Sequence, residues 1–128
     1  MKKSGILHPG LCELLAATGH TDWITVCDSG FPVPIGPQRI DLALVSGIPT
    51  VLDVLRAVAA EFSLDRVIIT QEMTEISPHY IDAIRDIVGD VRLEVMSHVE
   101  FKHLAAEARG TVRTGDATAY ANIILVSG

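Results

Sequence analysis

Positive charge is scarce in this chain. Ten lysines and arginines stand against sixteen aspartates and glutamates, for a formal net charge of -6 over 128 residues and a pI near 5.2. The few cations are scattered, so no basic footprint forms and a nucleic-acid partner is excluded. Long hydrophobic runs are missing too: nothing approaches the roughly 20 apolar residues that span a bilayer. Lys2 and Lys3 are followed by no apolar signal-peptide core. These absences point to the cytoplasm and to no membrane partner. Only two cysteines occur, Cys12 in a helical pattern and Cys27 in an apolar strand pattern. Neither has metal-site spacing, and both read as buried free thiols. No polar or repetitive linker interrupts the chain, so residues 1–128 read as a single domain.

The signatures of familiar chemistry are also absent. There is no phosphate-binding loop, no dinucleotide fingerprint, no HExxH helix and no nucleophile elbow. Covalent catalysis lacks a candidate, because no serine sits in an activating arrangement and both thiols look buried. His20, Asp28, Glu72 and His98 are too dispersed to make an instructive metal set, so neither metal nor cofactor is expected.

What the chain has in quantity is apolar surface, with 48% hydrophobic residues against 20% charged. That is rich for a small monomer, and part of the excess is expected in contacts between subunits. Leu11, Leu14, Leu15 and Thr18 recur at helical spacing, with Gly19 placed for a left-handed C-cap. Trp23 to Cys27 reads as a strand, and so does Arg39 to Val45, where Ile40, Leu42 and Leu44 alternate with polar or small residues. After Thr50, the residues Val51, Leu52, Leu55, Val58, Ala59 and Phe62 make a helical stripe. Val67 to Ile69 is a β-branched strand, with Gln71 and Glu72 at its carboxyl end. Ser77 and Pro78 open a helix as N-cap and N1, Val91 to Met96 returns as a strand, and Ser97 to Glu100 has the form of a capping box. Thr111 to Asp116 reads as a short strand and turn, and Ile123 to Val126 as a buried strand. Helices alternating with apolar strands predict an α/β three-layer sandwich, with a central, largely parallel sheet of about six strands and about four helices.

The stretch from Gly19 to Asp41 concentrates the polar chemistry. His20 and Asp22 precede the first strand and Asp28 follows it. The loop Phe31 to Pro37, stiffened by Pro32, Pro34 and Pro37, is expected to form a fixed pocket wall. Further on, His98 and Lys102 lie one turn apart on a helix. Tyr120 and Asn122, two residues apart on what reads as extended backbone, should point the same way. Position alone leaves His20 open to the role of a histidine bonded at a helix end, and His98 with Lys102 open to a solvated face. Taken together, His20, Asp28, His98, Lys102, Tyr120 and Asn122 suit a hydroxyl-rich ligand and proton transfer. Interconverting the ring forms of an aldose needs no more: one hydroxyl loses a proton, the ring oxygen gains one, and a different hydroxyl closes the ring. Histidine does both jobs near neutral pH.

Several blocks carry a resemblance: His8-Pro9-Gly10-Leu11, Gly19-His20-Thr21-Asp22, Val26 through Pro34, Arg39 through Leu44, Ser97 through Lys102, Val112-Arg113-Thr114-Gly115 and Tyr120 through Leu125. In this order, over nearly the whole chain, they resemble the family of D-ribose pyranases and L-fucose mutarotases (RbsD/FucU), its ribose branch in particular. The resemblance implies a cytoplasmic, cofactor-free mutarotase exchanging pyranose and furanose forms of D-ribose, assembled as a homodecamer of two pentameric rings. It implies His20 as proton donor and Asp28, His98 and the Tyr120 to Asn122 segment as sugar contacts, with Lys102 near the pocket. His8, His79 and His103 receive no role from it. The chain departs from the family pattern at Asp116, Thr118 and Ala119, where a glutamate and a proline are expected before the tyrosine. Two other functions fit the same polar set: a mutarotase for L-fucose or another aldose, and a non-catalytic sugar-binding or regulatory protein.

Overall fold

A computed structural model describes residues 1–128. The strands are β1 (Trp23–Cys27), β2 (Gln38–Asp41), β3 (Leu64–Thr70), β4 (Arg92–Met96), β5 (Gly110–Arg113) and β6 (Ile123–Ser127), and the helices are α1 (Pro9–Ala17), α2 (Val51–Ala59), α3 (Gln71–Ile76), α4 (Pro78–Val88) and α5 (His98–Ala105). The strands form one sheet in the order β2-β5-β1-β6-β3-β4. Its centre is held by β1, β6 and β3, the most apolar runs of the chain, as expected for strands covered on both faces. β6 runs against both neighbours, whereas β1, β5 and β2 are mutually parallel and β3 is parallel to β4. The sheet is therefore mixed, with five strands in one direction and β6 reversed in the middle.

The helices cover the two faces unequally. On one face, Leu11 and Leu14 of α1, Val51, Leu55 and Val58 of α2, and Tyr80 and Ile84 of α4 pack on Ile24, Val26, Val67, Ile69 and Leu125. On the other, Phe101 and Ala105 of α5, with Phe31 from the proline-rich loop, pack on Cys27, Ile68, Ile124 and Val126. Cys27 is fully buried, and burial, the leading cause, pushes its thiol up to about 12. It is inert at neutral pH. Cys12 is only half-buried, less than its helical pattern implied, and its thiol donates to the Ile6 carbonyl at 3.2 Å.

Several local expectations are corrected. α1 ends at Ala17 on an extended Thr18 (φ -82°), so Gly19 is no left-handed cap; the positive φ of this turn, 69°, falls on Thr21. The Asp22 carboxylate takes the Gly19 amide at 3.0 Å and turns the chain there instead. The strand read over Arg39 to Val45 stops at Asp41, because the Asp41 carboxylate accepts the Ala43 amide at 3.1 Å and bends the chain away. Leu44 is consequently 75% exposed, although its alternation marked it as a sheet residue. Five helices form rather than four: α3 fills six residues directly after β3, too few to leave a periodic signal. Ser77 precedes α4 but its side chain makes no cap; it donates to the Ala119 carbonyl at 2.8 Å. At α5, Ser97 accepts the Glu100 amide at 3.1 Å, but the reciprocal half of the box is missing and the His98 amide donates to the Glu72 carboxylate. The complete box belongs to Thr50 and Asp53 at α2. His8, left without a role by the sequence, caps α1 by accepting the Leu11 amide on Nδ1 at 3.1 Å.

Candidate functional site

The topology gathers polar residues at one edge of the sheet. Parallel strands end together, so the carboxyl ends of β1, β3 and β4 share that edge and deliver Asp28, Glu72 and His98. Because β6 is reversed, its amino end lies there as well, with Ile123 in register with Val26. Asn122 therefore meets Asp28, and its Oδ1 accepts the Asp28 amide at 2.9 Å.

Between these ends is a cavity of about 220 Å³ bounded by Asp28, His98, Tyr120 and Asn122, with Phe31 and Pro32 as its apolar wall. The stiff loop thus forms the wall expected of it. Tyr120 does not sit on extended backbone: its φ is 58°, and the Asn122 amide bonds back to its carbonyl at 2.8 Å. The two side chains reach the same cavity through a left-handed turn, not through strand alternation.

The His98 ring is wedged among aromatics. Phe31 lies edge-on at 6.1 Å, Tyr120 edge-on at 5.2 Å, and Phe101 nearly parallel at 6.3 Å. Its Nδ1 is buried with no protein partner. A buried orphan of this kind costs free energy unless something else bonds it. With the Asn122 carbonyl oxygen committed to the Asp28 amide and its amide nitrogen also serving the Asp28 carboxyl, the second Asn122 N–H remains as donor, and Tyr120 adds a hydroxyl. Burial raises the Asp28 carboxyl above the ordinary range, against the lowering effect of bonds from the Gly30 amide, Asn122 and the Phe31 amide. The cavity thus offers acceptors and donors of both kinds, suited to a small polyhydroxylated molecule.

His20 and Lys102 are not in this cavity. His20 is exposed on the turn before β1, where the Thr21 amide bonds to the Ser127 carbonyl at the far end of β6 at 3.0 Å. β1 alone spans about 13 Å at 3.3 Å per residue, so His20 and Asp28 occupy opposite edges of the sheet. Lys102 is exposed on α5, one turn beyond His98. A larger hollow of about 510 Å³ opens at the edge where His20 sits, between Asp22, Trp23, Pro37 and Arg109. Its charges are already matched: Arg109 Nε donates to Asp22 at 2.9 Å, and the Gly19 amide, then Arg109, hold the Asp22 carboxyl below its ordinary value. The smaller cavity is the better site, because no cation neutralises the Asp28 carboxyl there and the Asp28–Asn122 pair keeps donor and acceptor positions to spare. No three His, Cys, Asp or Glu side chains gather where they could share a metal ion. His79 and His103 lie on the surface.

Sequence reasoning overlooked Asp116 as anything but a departure from pattern. It is 2% exposed and accepts the Val51 amide and the Tyr80 hydroxyl on Oδ2 and the Thr118 amide on Oδ1. Burial by itself would raise its pKa, but the bonds from Tyr80, Thr118 and Val51 outweigh it and hold the carboxyl below the ordinary range. A carboxyl depressed in the folded state contributes stability that is fully present above its unfolded pKa, near ~3.9, and lost as pH falls through the folded value. Asp28 acts oppositely, its raised pKa removing stability as pH climbs from ~3.9 through the folded value. Urea midpoints of the wild type are expected to drop below about pH 4, and those of Asp116→Asn to drop less steeply. Equal acid sensitivity of the two proteins would contradict this account of Asp116.

Comparison with known proteins agrees with this fold. A model of the RbsD / FucU transport protein family matches residues 1–128. A D-ribose pyranase of Clostridium novyi is 44% identical over 128 residues, covering all of this chain and 98% of that protein. The structure of Bacillus subtilis RbsD complexed with D-ribose superposes with a TM-score of 0.95 at 39% identity, covering all of this chain and 98% of that one. The fucose mutarotase of Streptococcus pneumoniae, solved with L-fucose, shares the fold with a TM-score of 0.77 at 22% identity, over 95% of this chain and 93% of that one.

Proposed function

This chain belongs to the RbsD / FucU transport protein family, and from that premise we propose that it is a D-ribose pyranase, interconverting the β-pyranose and β-furanose forms of D-ribose. The observation that carries the reading is the cavity of Asp28, His98, Tyr120 and Asn122, where carboxylate, imidazole, phenol and amide groups face an apolar wall. It lies in a chain whose relatives are named for this reaction and include a ribose complex.

The chemistry is proton transfer on a held sugar. The anomeric hydroxyl loses its proton, the ring oxygen gains one and the C1–O5 bond breaks. The open aldehyde turns, the O4 hydroxyl attacks C1 and gives up its proton, and the former carbonyl oxygen is reprotonated. Atoms balance without any co-reactant. In this reading Asp28 and Asn122 hold sugar hydroxyls, the His98 ring lines the cavity as a further sugar contact, and Tyr120 closes the pocket. His20 is the proton donor.

The distance between His20 and the cavity requires that the donor come from another copy of the chain. Exposed apolar side chains support such an assembly: Ile35 is 103% exposed, Leu44 75% and Val99 62%. We read the assembly as a decamer of two pentameric rings, with Lys102, exposed on α5 one turn beyond His98, as a further sugar contact across the interface. A cytoplasmic location accords with a sugar-converting enzyme in which no helix is long and apolar enough to cross a membrane.

Exchange NMR on D-ribose, with catalytic protein and a chelator present, tests the reading. Faster exchange between pyranose and furanose signals is the expected result. Acceleration with L-fucose alone reassigns the substrate. Saturable ribose binding with no acceleration for any aldose replaces the enzyme with a sugar-binding protein.

A further inference from the structure

We propose that Asp116 and Tyr80, neither of which bounds the cavity, are positioning residues that clamp its two polar walls together; this deepens the ribose pyranase reading and rests on it. One wall is the Asp28 segment at the end of β1 and the other is the turn from Thr118 to Asn122 ahead of β6. Asp116 holds both. Its backbone carbonyl accepts the Ser29 amide at 2.9 Å, next to Asp28. Its side chain accepts the Thr118 amide at 2.9 Å, the start of the turn that carries Tyr120. A second bond fixes the same turn from α4, where Ser77 Oγ donates to the Ala119 carbonyl at 2.8 Å.

The carboxylate is itself immobilised. The Val51 amide at the start of α2 donates to Oδ2 at 2.9 Å, and the Tyr80 hydroxyl donates to the same oxygen. Tyr80 is 4% exposed and packed in the core. Behind Asp116, its own amide donates to Thr114 Oγ1 at 3.1 Å, whose hydroxyl donates to the Cys27 carbonyl at 2.8 Å. The chain of bonds thus runs from the core face through one buried charge to both walls. A buried carboxylate is expensive to keep without partners, and this one spends its acceptors on two core anchors, the Val51 amide and the Tyr80 hydroxyl, and on the Thr118 amide that begins one wall of the cavity. Charge-assisted bonds of this kind are stiff as well as strong, so the cavity is preorganised before the sugar arrives.

A purely structural role would change stability and nothing else. A positioning role changes the Michaelis constant for ribose. Asp116→Asn and Tyr80→Phe are each expected to raise KM about tenfold, as loss of a hydrogen bond to a charged group does, with kcat within about threefold of wild type because the proton donor is untouched. The double variant is expected to be little worse than Asp116→Asn alone, since the two residues share one network. Amide hydrogen exchange, which needs no sugar, supplies the second arm. Ser29, Thr118 and Asn122 should exchange faster in both variants, while β3 amides keep wild-type protection. Unchanged KM, or loosening no greater at these amides than in β3, overturns the proposal. A wild type that accelerates no aldose exchange refutes the enzyme reading instead, and the amide arm then still decides the clamp. Should Asp116→Asn fail to fold, Tyr80→Phe, which keeps the ring packing, carries both arms.

Discussion

Replacing His20 with alanine is expected to lower catalysed ring exchange of D-ribose by about 10²- to 10⁴-fold, the usual worth of a positioned acid or base, with the assembly intact. The expectation starts from local structure. The turn around His20 is tightly tied: Gly19 and Asp22 exchange an amide-carboxylate bond at 3.0 Å and an amide-carbonyl bond at 3.1 Å, and the Thr21 amide anchors on Ser127. Nothing in this frame uses the imidazole, and the ring is presented outward at the edge of the sheet. Removing it therefore leaves the fold's bonds in place. Ribose affinity should also stay within a few-fold, because the side chains proposed to hold hydroxyls remain. Exchange NMR measures the rate and calorimetry the affinity. Activity within a few-fold of wild type would remove His20 from the mechanism.

Mixing inactive subunits should restore activity, and this result would separate the one-chain site from the shared one. His20→Ala destroys the donor and Asn122→Ala destroys the cavity, so each homogeneous protein is expected to be inactive. If donor and cavity lie on different copies, random co-assembly of equal amounts leaves about a quarter of the sites with both native residues, whatever the number of subunits in a ring. Recovery of roughly that fraction of wild-type activity after co-expression is the expected outcome. No recovery would place donor and cavity in one chain, which the span of β1 makes hard to achieve without unfolding the strand. Asn122→Ala also withdraws the acceptor from the Asp28 amide, so its inactivity has two causes, lost sugar contact and a loosened Asp28. The mixing result is unaffected by that, because complemented sites carry native Asn122.

Much of the architecture was legible because it rests on local signals. β1, β3 and β6 are apolar runs, and burial on both faces is the only cheap place for them. α2 has a clear apolar stripe, of which the structure buries Val51, Leu55 and Val58 and adds Val54, while Leu52 and Ala59 are half-buried and the helix ends before Phe62. Where the signal was short or could be mimicked, reading failed. α3 is six residues long, and Leu42 and Leu44 alternate like a strand in a segment that an Asp41 side chain turns aside. Ser97 and Glu100 have the spacing of a reciprocal cap, yet only the Ser97 half forms, and the first helical amide, that of His98, goes to Glu72, distant in sequence.

The site divides along the same line. Sequence by itself determined the chemical vocabulary: acidic overall, without a nucleophile elbow, phosphate loop or metal spacing, and with imidazole, carboxylate, phenol and amide groups in blocks that resemble one mutarotase family. Those facts are carried by residue identity and short spacing, which the chain possesses before it folds. Only the tertiary structure decided which of these groups meet. The reversal of β6 brings Asn122 to Asp28, the parallel pairing of β3 and β4 brings Glu72 to the His98 amide, and the rigid length of β1 holds His20 away from all of them. Strand direction and register are set by long-range pairing across the sheet, and no local stretch encodes them. The same holds for Asp116, whose importance comes from α2, α4 and the turn before β6 converging on one buried carboxylate, a property of the packed molecule and of no segment within it.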